Sequence, residues 1–481
     1  MPYAKQTFLA ARGCRTAAWR DLRVEEVAPE LDSQLWLRLE EGRRIGALAR
    51  ELDPGAAFVE YGAGAGMRTQ ELLADREVRA IHEATFETKD WIARADLMRR
   101  VRGGWHLLEV KQGLASEKLK EEYLDDLAYT RFVAESCGLV VQRASLLLVS
   151  PAYRRGMPPE RLLVERDVSV EASERAAAFA AESASIARAL RSKRAPRATL
   201  STACRGCPHF AERCLGHGLA STVLDLPRLG AKKLEELGAQ RIVELADLPA
   251  DFELTGRQQR TRRVLLSGEA EDAGIAEALR ALAPPFLYLD FETLTTALPF
   301  YDDVAPFEQI ATQYSLHHKE SLAAEPEHRE FLSRADRDDR RALAEAVLGD
   351  LGTQGTILTY SSFEKTQLRA LAARFADLAP RFAAVEERLF DLRAAIEKHY
   401  EHPAFRGSTS IKTVLPALVP ELAYDDLEIR NGGEAIAAFF RLADGGLDRT
   451  EAERLRRALL AYCERDTLAM VRLHEVLARR R

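Results

Sequence analysis

The stretch Thr202–Cys214, TACRGCPHFAERC, carries three of the chain's six cysteines, spaced Cys204-x2-Cys207-x6-Cys214. The nearest candidate for a fourth ligand stands far upstream, at Cys14. Six cysteines in 481 residues do not make a disulfide scaffold; in a cytosolic chain such a cluster is more often a metal site. Four thiolates drawn from both ends of the segment 14–214 would close it into one stapled unit. At 481 residues two or three domains are expected in any case. Tetrahedral zinc sites made of four cysteines usually come as two CxxC pairs. One distant cysteine plus a CxxC-x6-C run fits a four-iron–four-sulfur (4Fe-4S) cluster better, with zinc as the alternative. Either group would be structural, because full coordination leaves no open position. Cys137 and Cys463 read as ordinary cysteines.

Apolar content of 47% with 30% charged residues suits a globular chain. The net charge of -6 supplies no global basic field, so any nucleic-acid contact must be local. No apolar run reaches the length of about 18 residues that a membrane span needs. The start, MPYAKQTF, lacks the apolar core of a signal peptide, so a cytoplasmic location is expected.

Upstream of the cysteines, residues 1–22 read as one helix containing Phe8, Cys14 and Trp19, and 34–52 as a second. Gly62-Ala-Gly-Ala-Gly66 is Gly-rich, but no Lys-Ser/Thr follows, so it reads as a turn. From Val78 the pattern changes to three short strands, with Gly103-Gly104 marking a hairpin. They deliver Asp96 and then Glu109-Val110-Lys111. Alternation along a strand puts Glu109 and Lys111 on one face, and Asp96 on the paired strand can join them. Two carboxylates can hold Mg²⁺ or Mn²⁺, and the lysine can orient or deprotonate an attacking water. Glu83, on the first strand, could add a ligand. A helix over 116–136 follows, with Asp125 and Tyr129 one turn apart, then a strand in ASLLLVS and an Ala-rich helix over 171–192. Arg191, Lys193, Arg194 and Arg197 form a basic tract that reads either as a phosphate-contacting face or as a solvated run.

Cys14, Asp96, Glu109-x-Lys111 and the Cys204, Cys207, Cys214 triplet together resemble the RecB-like PD-(D/E)XK nucleases with an iron–sulfur staple. The resemblance covers roughly 1–217. It implies a restriction-endonuclease-like domain in which Asp96, Glu109 and Lys111 are catalytic and Glu83 joins the metal ligands. It also implies cluster ligation by Cys14, Cys204, Cys207 and Cys214, and a helicase or other protein as partner. Tyr129 stands where those families keep an aromatic residue. Asp125 replaces their Gln, and the early helix around IGALARE has no His.

Residues 218–283 form a helical linker that resembles a helix-hairpin-helix element. Lys232, Lys233, Arg257, Arg260, Arg262 and Arg263 would supply its charge, either to a phosphate backbone or to packing. A third unit, 284–481, opens on FLYLDFETL. This apolar strand delivers Asp290 and Glu292 at i, i+2, a pair whose burial costs several kcal/mol unless a cation sits between them. Glu364 follows at a strand–helix junction, Asp391 follows Phe390, and a late helix carries Tyr462-x3-Asp466 on one face. That order resembles the DnaQ-like exonucleases of the RNase H-like fold. The resemblance implies that Asp290, Glu292, Glu364 and Asp466 hold two metal ions and that Tyr462 positions the nucleophile. The middle acid is usually an Asp preceded by Asn; here it is Glu364, with Ser361 near the Asn place. Asp391 reads as strand support, with metal binding the alternative, and Lys412 reads as a solvated lysine, with substrate contact the alternative. LDFET and the GSTSIKTVLPALVPELAYDDLEIRNGGEA region also resemble a bacterial family catalogued as a domain of unknown function.

The expectation is therefore an α/β multidomain nuclease with two Mg²⁺- or Mn²⁺-dependent sites. It would hydrolyse phosphodiesters in DNA at ends or in single strands, in repair or in defence against foreign DNA. An RNA exonuclease and a non-catalytic nucleic-acid-binding scaffold are the alternatives. No base-reading motif is present, so little sequence specificity is expected.

Overall fold

The computed structural model describes residues 2–24, 32–116 and 118–480. Helices α1 (Lys5–Gly13), α2 (Arg15–Asp21) and α3 (Ser33–Glu51) lead into strand β1 (Ala57–Phe58) and helix α4 (Ala65–Ala74). Strands β2 (Ala80–Glu87), β3 (Ile92–Val101) and β4 (Gly104–Leu114) follow. Then come α5 (Glu121–Ser136), β5 (Val141–Val149), β6 (Leu163–Asp167), α6 (Ser169–Arg191) and the short α7 (His209–Arg213).

The first six strands form one mixed sheet in sequence order. β2, β3 and β4 are antiparallel neighbours, and Gly103, at φ +83°, makes the tight β3–β4 turn. The α5 crossover returns β5 parallel to β4. One face of this sheet packs on α1, α5 and α6 around Phe8, whose ring contacts Trp91, Tyr129, Phe132 and Phe179. The single helix expected over 1–22 is two. Gly13 is a weak helix former, and Cys14 is extended, with its sulfur accepting the Ala17 N–H at 3.4 Å. Strand β6 follows a stretch that carries Pro151, Pro158 and Pro159.

The middle segment holds α8 (Ala231–Gln240), α9 (Gly256–Ser267), strand β7 (Glu271–Asp272) and α10 (Ile275–Arg280). Its leucines make a small core that includes Leu200 and Cys204, so the cysteine stretch is packed against it. Its arginines bond to protein. Arg257 pairs with Glu397, Arg260 donates to the Glu397 and Lys398 carbonyls, and Arg262 to those of Leu248 and Pro249. Arg263 pairs with Glu271, and Lys233 with Glu253. Arg257 and Arg260 fasten the segment to the last unit, while Arg262, Arg263 and Lys233 hold the segment together internally.

The last part begins with β8 (Phe286–Leu294), β9 (Ile310–Lys319), β10 (Glu327–Leu332) and α11 (Arg340–Leu351). It continues with β11 (Thr356–Thr359), α12 (Phe363–Arg374), α13 (Ala379–Glu386), β12 (Leu389–Asp391), α14 (Leu392–His399) and β13 (Tyr400–Glu401). Helices α15 (Ile411–Leu418), α16 (Gly432–Asp444) and α17 (Arg449–Ala478) complete it. The sheet order is β10-β9-β8-β11-β12; β9 is antiparallel to β8 and β10, while β11 is parallel to β8 and β12. Both faces of β8 are covered, which explains its nearly unbroken apolar run. Leu287, Leu289 and Phe291 enter the core under α11 and α12, and Phe286 and Tyr288 enter the one under α17. Alternation therefore turns Asp290 and Glu292 toward α17.

Helix α3 joins the two large units. Ile45 packs with Val149, Leu162 and Ala297, while Leu37 joins Leu294, Phe439 and Phe440. Arg44 pairs with Asp444 at 2.6 Å, and Glu41 accepts the Ala297 N–H at 2.5 Å. Among the described residues no helix is long and apolar enough to cross a membrane. Phe8→Ala should cost about 3–5 kcal/mol, because a fully buried ring leaves a cavity among four other rings. Hydrogen exchange should show β2–β4 amides losing protection while those of β8–β11 keep it.

Candidate metal centres

Asp290, Glu292 and Asp466 each offer a carboxylate oxygen, and the three oxygens lie within 4.8 Å of one another. No other group of three acids, histidines or cysteines comes so close among the described residues. The first two come from the central strand. Asp466 comes from α17, whose apolar positions pack on the sheet at helical spacing and fix its rotation. Glu364, in the first turn of α12, brings a fourth acid. Its Oε2 is buried with no donor to bond, and the neighbouring group is the Asp290 carboxyl. Asp290 and Glu292 keep a sliver of solvent access, while protein surrounds them on other sides.

Like charges crowded out of water resist ionisation. Burial first, then Asp466, Glu364 and Glu292, push Asp290 well above the usual carboxylate range. Burial and Asp466 raise Glu292 to about 8. Burial, with Asp391 adding to it, raises Glu364 to about 7. Burial raises Asp466 to about 6 against the Tyr424 and Tyr462 hydroxyls, which hydrogen-bond its charged form. This is a set of oxygen donors short of positive charge.

Three further neighbours surround these acids, and sequence reasoning missed the contacts of all three. Tyr424 donates to Asp466 Oδ1 from 42 positions upstream, a separation that no motif signals. Lys412 Nζ lies 5.7 Å and 5.8 Å from the centroids of the Tyr424 and Tyr462 rings, and its charge eases the ionisation of Glu292 and Asp466. It is held there by the Arg430 carbonyl at 2.6 Å. Cys463, read as ordinary, is fully buried with its sulfur 3.4 Å from Asp290 Oδ2. Asp391 caps α14 by accepting the Ala394 N–H at 2.9 Å, in line with the expected support role.

The first acidic group is built differently. The β2–β3 and β3–β4 ladders both lapse at Asp96. Asp96 Oδ2 takes the Val110 N–H at 2.7 Å, and Glu83 opposite it sits at φ +61°. Such a conformation in a residue with a Cβ is the kind of strain found at functional sites. Burial and then Glu109 raise Asp96 to about 7. Glu109 goes the other way: burial opposes its charge, but the Lys5 and Lys111 ammoniums hold it at about 2. Both lysines bond its Oε1, at 2.9 Å and 3.1 Å, and both also contact Asp126. Glu109 Oε2 is buried without a partner.

Glu83, Asp125 and Tyr129 stand beside this centre with partners of their own. Glu83 pairs with Arg94 at 2.8 Å and Arg50 at 3.7 Å and belongs to no close acidic triplet. Asp125 turns away to Arg175, so Asp126 is the acid of α5 that reaches the centre. Tyr129 donates to the Ile92 carbonyl at 3.0 Å and packs beside Phe8. Lys5 was not anticipated, since one lysine near a terminus carries no signal.

The cysteines expected to form a staple make no close group of the kind the acids make among the described residues. Helix α2 is tied to the segment before the triplet by Thr16 and Trp19, which donate to the Pro196 and Ser192 carbonyls, and His209 bonds Asp21 at 2.6 Å. Burial raises the Cys204 thiol, and the adjacent Cys14 and Cys214 raise it further.

One family model bears on the last unit. A family described as "Domain of unknown function (DUF2779)" matches residues 287–410, which include Asp290, Glu292 and Glu364 but stop before Tyr424 and α17. The uncharacterized protein MG366 homolog of Mycoplasma pneumoniae is 29% identical over 206 residues, covering 38% of this chain and 31% of that protein. The uncharacterized protein MG366 of Mycoplasma genitalium is 25% identical over 204 residues, with the same coverage. The chain thus spans about a third of the length of these relatives. No solved structure matches it.

The crowded acids set a pH signature. Glu292, Glu364 and Asp466 hold protons more tightly folded than unfolded, so their contribution is full at low pH and lost as pH rises through about 6 to 8. Without divalent metal the melting temperature should fall by several degrees between about pH 5 and about pH 8. Added Mn²⁺ should reverse the fall, and Glu292→Gln should flatten the slope, as read by scanning calorimetry.

Proposed function

We propose that the protein is a metal-dependent phosphodiesterase acting on nucleic acid, DNA before RNA, with its main centre at Asp290, Glu292, Glu364 and Asp466. The observation that carries this reading is the convergence of Asp290, Glu292 and Asp466, mutually repelling and with no counter-ion in contact among the described residues. Hard oxygen donors of that kind suit Mg²⁺ or Mn²⁺. A divalent ion bound there would stabilise charge on a scissile phosphate and lower the pKa of its water.

The chain's own residues supply the rest. The Tyr462 hydroxyl is aimed at Asp466 and can orient a nucleophilic water beside it. Tyr424 fixes the other side of that carboxylate. Lys412, at the mouth, offers a cation to phosphate oxygens. The strand order and the positions of the acids agree with an RNase H-like, DnaQ-type exonuclease domain. The first sheet, with Asp96 on β3 and Glu109 and Lys111 on β4, agrees with a RecB-like PD-(D/E)XK domain. Asp96 and the unpartnered Glu109 Oε2 fit a cation as donors. The two lysines on Glu109 favour a second reading of that centre, in which it binds the nucleic acid more than it cleaves it.

A staple at Cys14, Cys204, Cys207 and Cys214 completes the proposal. The donor set is all thiolate, and these sulfurs do not form a close triplet of the kind the acids make. The spacing of one distant cysteine plus a CxxC-x6-C run favours a four-iron cluster over one zinc ion. Protein purified without oxygen should be brown, and Cys207→Ser should remove the colour and lower the melting temperature.

Asp290→Ala should abolish Mn²⁺-dependent cleavage of labelled DNA. Tyr424→Phe should lower it about 10–100-fold through weaker metal affinity, as loss of a ligand's supporting hydrogen bond does. Lys111→Ala on 5′- and 3′-labelled single and double strands separates the centres. Unchanged products with Lys111→Ala leave cleavage to the second centre; unchanged products with both Asp290→Ala and Lys111→Ala defeat the site assignments.

A further inference from the structure

We infer that the space between Tyr61 and Asp96 is a seat for one unpaired nucleotide, with the Tyr61 ring as its stacking surface. The inference rests on reading the Asp96–Glu109 centre as a nucleic-acid site, and it adds a residue and a substrate form to that reading. The cavity has a volume of about 620 Å³, and its lining runs from Tyr61 and Arg94 at the rim to Glu83 and Asp96. That volume lies within the range of small-ligand sites, about 300–1,000 Å³.

Tyr61 is 86% exposed, so its ring contributes little to the fold. An isolated exposed ring needs no explanation, but this one has a setting. The Arg94 guanidinium carbon lies 5.5 Å from its centroid, close enough to polarise a stacked base as well as the ring. The next five residues, Gly62-Ala-Gly-Ala-Gly66, carry no side chain larger than a methyl group. Gly62 and Gly64 have φ of +143° and +94°, with no atom within 4 Å of where a Cβ would stand. A flat ligand can therefore approach the loop backbone and the ring together.

Lys5 and Arg94 line the same cavity; Lys5 already contacts Glu109 and Asp126 and Arg94 pairs with Glu83, so a phosphate there would share cations that these acids hold. Gln6 and Thr85 add polar groups to the lining. Glu83 and Asp96 also border a second cavity of about 350 Å³ beneath α3, so these acids stand between two spaces, as a strand running past a cleavage point requires. A base inside a duplex has both faces covered by its neighbours. A terminal pair exposes one face, but only an unpaired base can enter the cavity without its partner, so the seat selects single strands or frayed ends.

The test uses the full chain in EDTA, so that no cleavage occurs. The probes are an oligodeoxythymidylate ending in 2-aminopurine and a blunt duplex of the same length. Wild type should quench the 2-aminopurine. Tyr61→Ala should abolish the quench and weaken single-strand binding about tenfold, as loss of one base–aromatic stack does. Tyr61→Trp should keep both, and duplex affinity should not change. An unaltered single-strand Kd and quench in Tyr61→Ala overturns the inference, as does equal weakening for duplex and single strand. Unaltered oligonucleotide binding with loss of a protein partner also overturns it and marks Tyr61 as a protein contact. Because binding is read without hydrolysis, an inactive first centre would not mimic any of these outcomes.

Discussion

Strand β8 carries two carboxylates into the middle of a sheet, where a third from α17 and a fourth from α12 meet them. Nothing among the described residues neutralises this charge; the nearest cation, Lys412, only eases it. The cost is electrostatic, and it is tolerated because β8 is fixed between β9 and β11 with both faces packed. A strand held that firmly cannot swing its acids out to water. The repulsion therefore appears as raised proton affinity, and a divalent cation is the natural way to relieve it.

The first centre resolves the same problem internally. Asp96, Glu109 and Asp126 face Lys5 and Lys111, so most of the negative charge already has a protein partner. The outcome shows in opposite directions at the two places: Glu109 is held at about 2, while Glu292 stands at about 8. The two centres share a mechanical link as well. Helix α3 presses Ile45 toward the first sheet and Leu37 toward α16. The N-terminal end of α16 adjoins Glu292, since a Cβ on Gly432 would stand 3.8 Å from its Oε2.

The middle segment illustrates how charge misleads when geometry is unknown. Its arginines look like a phosphate-binding set in one dimension. In three dimensions they meet backbone carbonyls, Glu397 and Glu271.

Much of the architecture was present in local pattern. The alternation in FLYLDFETL places Asp290 and Glu292 on one face, the four-residue spacing of Tyr462 and Asp466 puts them on one side of α17, and Gly103-Gly104 makes the turn between β3 and β4. These are short-range consequences of backbone geometry, so the sequence by itself determined them. Tertiary structure alone decided which distant groups complete each centre. Lys5 reaches Glu109 across 104 positions, and Tyr424 reaches Asp466 across 42. It also decided that Asp126 rather than Asp125 faces Lys111, a choice of about 100° around one helix that packing against β4 and β5 sets. Such pairings depend on how whole elements dock, and no periodicity in the chain encodes that.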